Sequence, residues 1–116
     1  MTARRLALLA ALPALAMAPA AWAHAHIVSS TPAANASGPA PKALHLEFSE
    51  GLEAKFSGVE LMKASGPAVA ADAKVSGKAI DATPKAPLAP GEYMVMWHAL
   101  STDGHKSNGS YNFTVK

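Results

Sequence analysis

Four stretches of the chain alternate apolar and polar residues with a period of two, the pattern of a strand with one face in a core. Leu44, Leu46 and Phe48 alternate with Ala43, His45 and Glu47. Val59 and Leu61 alternate with Glu60 and Met62. Tyr93, Val95, Trp97 and Ala99 alternate with Met94, Met96 and His98, and Tyr111, Phe113 and Val115 with Asn112 and Thr114. Turn-forming residues separate these runs: Ala40-Pro41, Ser57-Gly58, Ser65-Gly66-Pro67, Ser76-Gly77 and Ala89-Pro90-Gly91. Weaker strands are expected at Ala25 to Ser30, Ala73 to Ser76 and Lys78 to Thr83. No apolar stripe of period 3.6 appears. The pattern predicts an all-β fold of about seven short strands, a Greek-key sandwich or barrel of immunoglobulin-like size. Trp97, Phe48, Phe56, Phe113, Tyr93 and Tyr111 are the large residues available to its core. Ala33 to Ala40 reads as a loop, and Ala64 to Ala73 as the most flexible excursion.

Residues 1–23 follow a different pattern. Arg4 and Arg5 precede an apolar run, Leu6 to Met17, broken only by Pro13, and Ala21-Trp22-Ala23 is a small-x-small cleavage signal. The run is shorter than the ~18 residues a spanning helix requires. The segment is expected to be a cleaved secretory leader, making His24 the mature N-terminus and residues 24–116 the functional domain. The arginine pair also permits a twin-arginine reading of the export route.

Removing the leader changes the charge balance. The 116 residues carry a formal charge of +2. Arg4 and Arg5 account for that excess, so residues 24–116 balance eight lysines against eight acids. A neutral domain lacks the electrostatic footprint of nucleic-acid binding. The chain contains no cysteine, which excludes disulfides, thiolate metal sites and cysteine nucleophiles. No G-x-S-x-G, phosphate loop or H-E-x-x-H occurs, and the acidic residues are scattered singly.

Histidine is the unusual component: all five lie after residue 23. Cleavage after Ala23 would give His24 a free α-amine beside its imidazole, and the amine and Nδ1 of one residue can close a six-membered chelate. The amine's ordinary pKa of roughly 7.7–8.0 means that surrendering its proton near pH 7 costs about 1 kcal/mol. A sulfur-free nitrogen chelate suits Cu(II), with Zn(II) or Ni(II) as weaker competitors. In Asp103-Gly104-His105, residues i and i+2 of an extended segment project to one side, so a carboxylate and an imidazole can converge on one ion. The plain alternative is a hairpin turn with Asp as turn former.

His24-Ala25-His26 offers a competing site at the terminus alone, wrapping a square-planar ion with the amine, two deprotonated amides and the His26 ring. Met94, Met96 and His98 share one strand face, readable as a soft Cu(I) patch or as the second face of a partly covered sheet. His45 reads as a surface residue. Glu50 reads as a turn acid, or as a hydrogen-bond partner behind a metal ligand.

The mature chain resembles the CopC family of small periplasmic copper-binding proteins along its whole length. The resemblance runs through Val28-Ser29-Ser30-Thr31-Pro32-Ala33, Leu46-Glu47-Phe48-Ser49-Glu50, Phe56-Ser57-Gly58 and Pro87 to Tyr93. It continues through Trp97-His98-Ala99-Leu100-Ser101-Thr102-Asp103-Gly104-His105 and Gly109 to Phe113. It implies a seven-stranded Greek-key β-sandwich with one Cu(II) ion held by His24, through amine and ring, and by Asp103 and His105. It places Glu50 behind the ligands near the terminus and leaves the part of His26 open.

The resemblance further implies a non-enzymatic monomer acting in copper resistance or uptake, with an inner-membrane copper transporter of the CopD type as partner. Some members carry a methionine-rich Cu(I) site in a loop between middle strands. Here Leu61 to Lys78 holds only Met62 and no histidine, so one Cu(II) site and no Cu(I) site is the expectation. Two rival classes stand beside this reading. One is a copper-dependent oxidative enzyme that also builds on an N-terminal histidine, as lytic polysaccharide mono-oxygenases do. The other is a metal-free, immunoglobulin-like interaction module.

Overall fold

The computed structural model describes residues 24–116; the leader expected at 1–23 lies outside the described residues. The strands in chain order are β1 (Ile27–Thr31), β2 (Ser37–Gly38), β3 (Leu44–Phe48), β4 (Gly58–Lys63), β5 (Ala68–Val69), β6 (Ala71–Ser76), β7 (Ala79–Pro84), β8 (Gly91–Leu100) and β9 (Lys106–Val115). A 3-10 turn, Ala54–Phe56, precedes β4. One sheet has the order β1-β3-β7-β6 and the other β2-β9-β8-β4-β5. The chain crosses between the sheets after β1, β2, β3, β5 and β7, which makes the architecture the expected Greek-key sandwich.

All seven expected strands form. The two additions are two-residue strands, each inside a stretch read as loop. β2 pairs parallel with the end of β9, and β5 pairs with β4, so the 64–73 segment is anchored to the sheet.

The alternation does what period two requires. Leu44, Leu46 and Phe48 of β3, Leu61 of β4, Ile80 and Ala82 of β7, Tyr93, Val95 and Ala99 of β8, and Phe113 and Val115 of β9 fill the space between the sheets. Burying each large apolar side chain contributes roughly 1.5–3 kcal/mol. Tyr93 stacks on Phe113, with ring centroids 5.4 Å apart. Its hydroxyl donates to the Ala89 carbonyl at 2.6 Å and fixes the chain where it turns into β8. Trp97 packs edge-on against Phe48 at 5.2 Å.

Phe56 departs from expectation. It sits in the 3-10 turn and is 63% exposed, because the turn carries it outside the sandwich before β4 begins. The β8–β9 hairpin pairs in unbroken register from Gly91↔Val115 to Leu100↔Lys106, and it holds the loop at residues 101–105 against one end of the sandwich.

Candidate metal centre

The loop between β8 and β9 is built around Ser101. This residue is buried, 1% exposed, although it is polar. Its amide donates to the His105 carbonyl at 2.9 Å, and the Gly104 amide donates to the Ser101 carbonyl at 2.9 Å. Gly104 takes φ +95°, a backbone conformation that a side chain would oppose. The loop therefore closes back on itself, and Asp103 and His105 flank the glycine at its rim.

The Ser101 hydroxyl donates to Asp103 Oδ1, and the same oxygen lies 3.1 Å from His105 Nδ1 and 3.3 Å from the His105 amide. The hydrogen bond from Ser101, and then that from His105, hold the Asp103 carboxyl below the ordinary carboxylate range. The side chain remains about half exposed, so it is an anion in reach of a solvated cation. Thr102 donates to the Gly51 carbonyl at 3.0 Å, and Glu53 donates to the Leu100 carbonyl at 2.8 Å. These bonds tie the loop to the segment that follows β3.

His24 arrives from the opposite end of the sequence. Ala25, 1% exposed, is seated in the core, and its carbonyl accepts from Ser107 Oγ at 2.7 Å. Alternation then puts His24 and His26 on the outside. The His24 ring nitrogen Nδ1 lies 3.2 Å from the Lys106 carbonyl, and its ring meets that of His105 edge to face, with centroids 5.3 Å apart. His24, Asp103 and His105 thus share one rim of the sandwich. They touch as pairs, His24 with His105 and His105 with Asp103. Among the described residues, no three His, Asp or Glu side chains are already drawn into an arrangement that holds a metal ion.

His26 faces a different neighbour. Its amide donates to Ser49 Oγ at 3.1 Å, its Nδ1 lies 3.1 Å from the same hydroxyl, and its carbonyl accepts from the Ser49 amide at 2.9 Å. A terminal wrap through His24-Ala25-His26 would have to strip the His26 amide of its proton and break this bond. It would also lift Ala25 from the core. Glu50 follows Ser49 and precedes Gly51, so it lies at this end of the sandwich, half-buried, and among the described residues it makes no hydrogen bond or ion pair.

His45 sits far from this rim, on the outer face of the other sheet. Its Nδ1 lies 2.6 Å from Asp81 Oδ1, so it is a paired surface residue. Ser49 and Ser101, the residues that hold His26 and Asp103, escaped the sequence reading. The Ser-x-Asp spacing of 101–103 is the one local signal that pointed to either.

The donor set is two imidazoles and a carboxylate, joined by an α-amine if the chain begins at His24. It contains no sulfur, and its elements are nitrogen and oxygen, the donors that Cu(II) takes in tetragonal geometry. The CopC domain model matches residues 27–116. Protein YobA of Escherichia coli is 44% identical over 116 residues, covering 93% of this chain and 91% of the relative. Copper resistance protein C of Pseudomonas syringae pv. tomato is 43% identical, covering 83% of each chain.

Among solved structures, PcoC, a methionine-rich copper resistance protein from Escherichia coli, superposes with a TM-score of 0.72. It is 40% identical, and the match covers 81% of this chain and all of that one. CopC from Methylosinus trichosporium OB3b superposes with a TM-score of 0.75 at 31% identity, over 80% of this chain and 94% of the other.

Proposed function

We propose that this chain, which belongs to the CopC family, is an exported protein that binds one Cu(II) ion and sequesters it or hands it on. His24, Asp103 and His105 supply the ligands. The observation that carries this reading is the meeting of the His24 and His105 rings, 5.3 Å apart, with Asp103 held against His105 at 3.1 Å. Residues separated by some eighty positions supply complementary donors at one solvent-facing rim. Relatives named as copper resistance proteins support copper as the cargo.

In this mechanism the leader is removed after Ala23 in the periplasm, and the new amine and the His24 imidazole form the chelate. The His24 Nδ1 contact with the Lys106 carbonyl is given up when the ring turns toward the ion. That costs about 0.5–1.5 kcal/mol, the net worth of an ordinary hydrogen bond. Asp103 exchanges the His105 ring for the cation, and its carboxylate balances part of the charge. Ser101 keeps the carboxylate in place throughout. Binding displaces protons from the amine and the imidazoles, so affinity falls in acid. The protein acts as a monomer without turnover, and a CopD-type transporter in the inner membrane is its partner.

Cu(II) titration of two variants tests the ligand set. Asp103→Ala combined with His105→Ala should abolish tight binding, whereas His26→Ala should retain it. The reverse pattern would assign the ion to the His24-Ala25-His26 wrap.

A further inference from the structure

The register between β4 and β8 brings together residues that lie apart in the sequence. Met62 stands directly opposite Met94, Glu60 opposite Met96, and Gly58 opposite His98. Met94, Met96 and His98 alternate with the core-facing Tyr93, Val95 and Ala99, so they lie on the outer face of the five-stranded sheet. Met62 shares that face because Leu61, its neighbour in β4, points into the core. Every methionine of residues 24–116 is in this group.

An outer sheet face is ordinarily polar. On this one Met96 is 39% exposed, Met62 and Met94 are half-buried and His98 is exposed. The His98 ring lies over Gly58, where a Cβ would approach its Cε1 to 3.0 Å. The imidazole thus fills the space left by the missing side chain at position 58, and it stands ~14 Å along β8 from Met94, apart from the methionines' common centre.

We propose that this face is a binding site for a soft monovalent d10 cation, Cu(I) or Ag(I), formed by the thioethers of Met62, Met94 and Met96. Thioethers select such ions over the hard divalent cations. Directly paired residues on neighbouring strands have Cβ atoms ~5 Å apart, and same-face neighbours along a strand are separated by ~7 Å. Methionine, with three rotatable bonds, spans either distance, so two or three of the sulfurs can close on one ion without moving the backbone. Glu60, opposite Met96, places one carboxylate beside the cation. This site is separate from His24, Asp103 and His105 and does not depend on their reading. It revises the expectation of no Cu(I) site, which was drawn from the 61–78 stretch and could not pair Met62 with the Met94 and Met96 face of β8.

Silver(I) serves as the redox-inert probe. The exported protein, labelled at the methionine methyls, is titrated with Ag(I) and followed by NMR together with the histidine ring signals. The Met62, Met94 and Met96 methyls should shift together and saturate at one equivalent. Met94→Leu with Met96→Leu should weaken Ag(I) binding by at least ~100-fold, the upper range for losing even an indirect partner of a metal. The same variant should keep the wild-type unfolding midpoint and Cu(II) titration. Methyls that do not respond, Ag(I) shifts confined to His24 and His105, or wild-type Ag(I) affinity in the double variant would each overturn the proposal.

Discussion

Gly109→Ala is the sharpest test of how the β8–β9 hairpin is packed. Gly109 faces Trp97 across the hairpin, and the indole lies directly over it. A Cβ at position 109 would stand 2.6 Å from Trp97 Cζ2, 2.8 Å from Cε2 and 2.9 Å from Nε1. Carbon atoms pack at about 3.5–4.0 Å, so the ring must move by about 1 Å. Phe48, itself 1% exposed, opposes that movement on one side.

The backbone at 109 is not in the left-handed region, so the whole cost is steric. Overpacking of this kind destabilises by about 1–3 kcal/mol. At roughly 4–8 °C per kcal/mol for a domain of this size, the melting temperature should fall by several degrees or more. Trp97 is the sole tryptophan after residue 23, so urea unfolding read by its fluorescence reports on the strained ring directly. In a Trp97→Leu background Gly109→Ala should cost far less than it does in the wild type, since the clash is removed with the indole. A Gly109→Ala protein within ~0.5 kcal/mol of wild type, the usual range for an unremarkable surface change, and with unaltered emission, would refute the packing argument.

Other predictions concern the rim and the opposite sheet. Ser101→Ala removes the donor that fixes Asp103, so Cu(II) affinity measured by chelator competition should fall about 10–100-fold, and the Asp103 carboxyl should titrate at higher pH by NMR. Unchanged affinity would show that Ser101 plays no part in positioning the ligand. On the other sheet, the hydrogen bond to Asp81 raises the His45 pKa against the opposing effect of burial, and the charges of Asp81 and then Glu47 add to the rise. Stability from that pair is fully present below the unfolded imidazole value near 6.5 and is lost as pH rises through the raised folded value. Asp81→Asn should therefore destabilise the protein at pH 5 and do little at pH 8.5. The loss should stay below ~1 kcal/mol, because the pair is solvent-exposed. Equal losses at both pH values would contradict the linkage.

The strands were legible where one face is buried, because period two then leaves a mark on every second residue. β3, β4, β7 and the core-facing half of β8 follow that rule. The first half of β9, Lys106 to Ser110, carries no such mark, since Trp97 covers the inward position at Gly109 and polar residues fill the rest. Its strand character comes from pairing with β8. β2 left no trace in the sequence for a similar reason: two residues cannot alternate. It is held by backbone bonds from Thr114 to the Ala36 carbonyl and from Lys116 to the Gly38 carbonyl, each 2.8 Å.

At the rim, the residue types and the i, i+2 spacing of Asp103 and His105 were readable. The arrival of His24 beside them was not, because it depends on Ala25 being seated against Ser107, a contact between the two ends of the domain. The pairing of Met62 with Met94 was hidden in the same way. Neighbourhood within a strand can be read from spacing; neighbourhood between strands requires the topology.

The central claim is that the chelate begins at the His24 amine. Cu(II) titration with electron paramagnetic resonance on two forms tests it most directly: one chain starting at His24, and one retaining a single residue before it. The first should take up one equivalent of Cu(II) with a nitrogen-rich spectrum. The second, with that nitrogen in a peptide bond, should lose the site. Equal affinity and identical spectra from both forms would contradict the account.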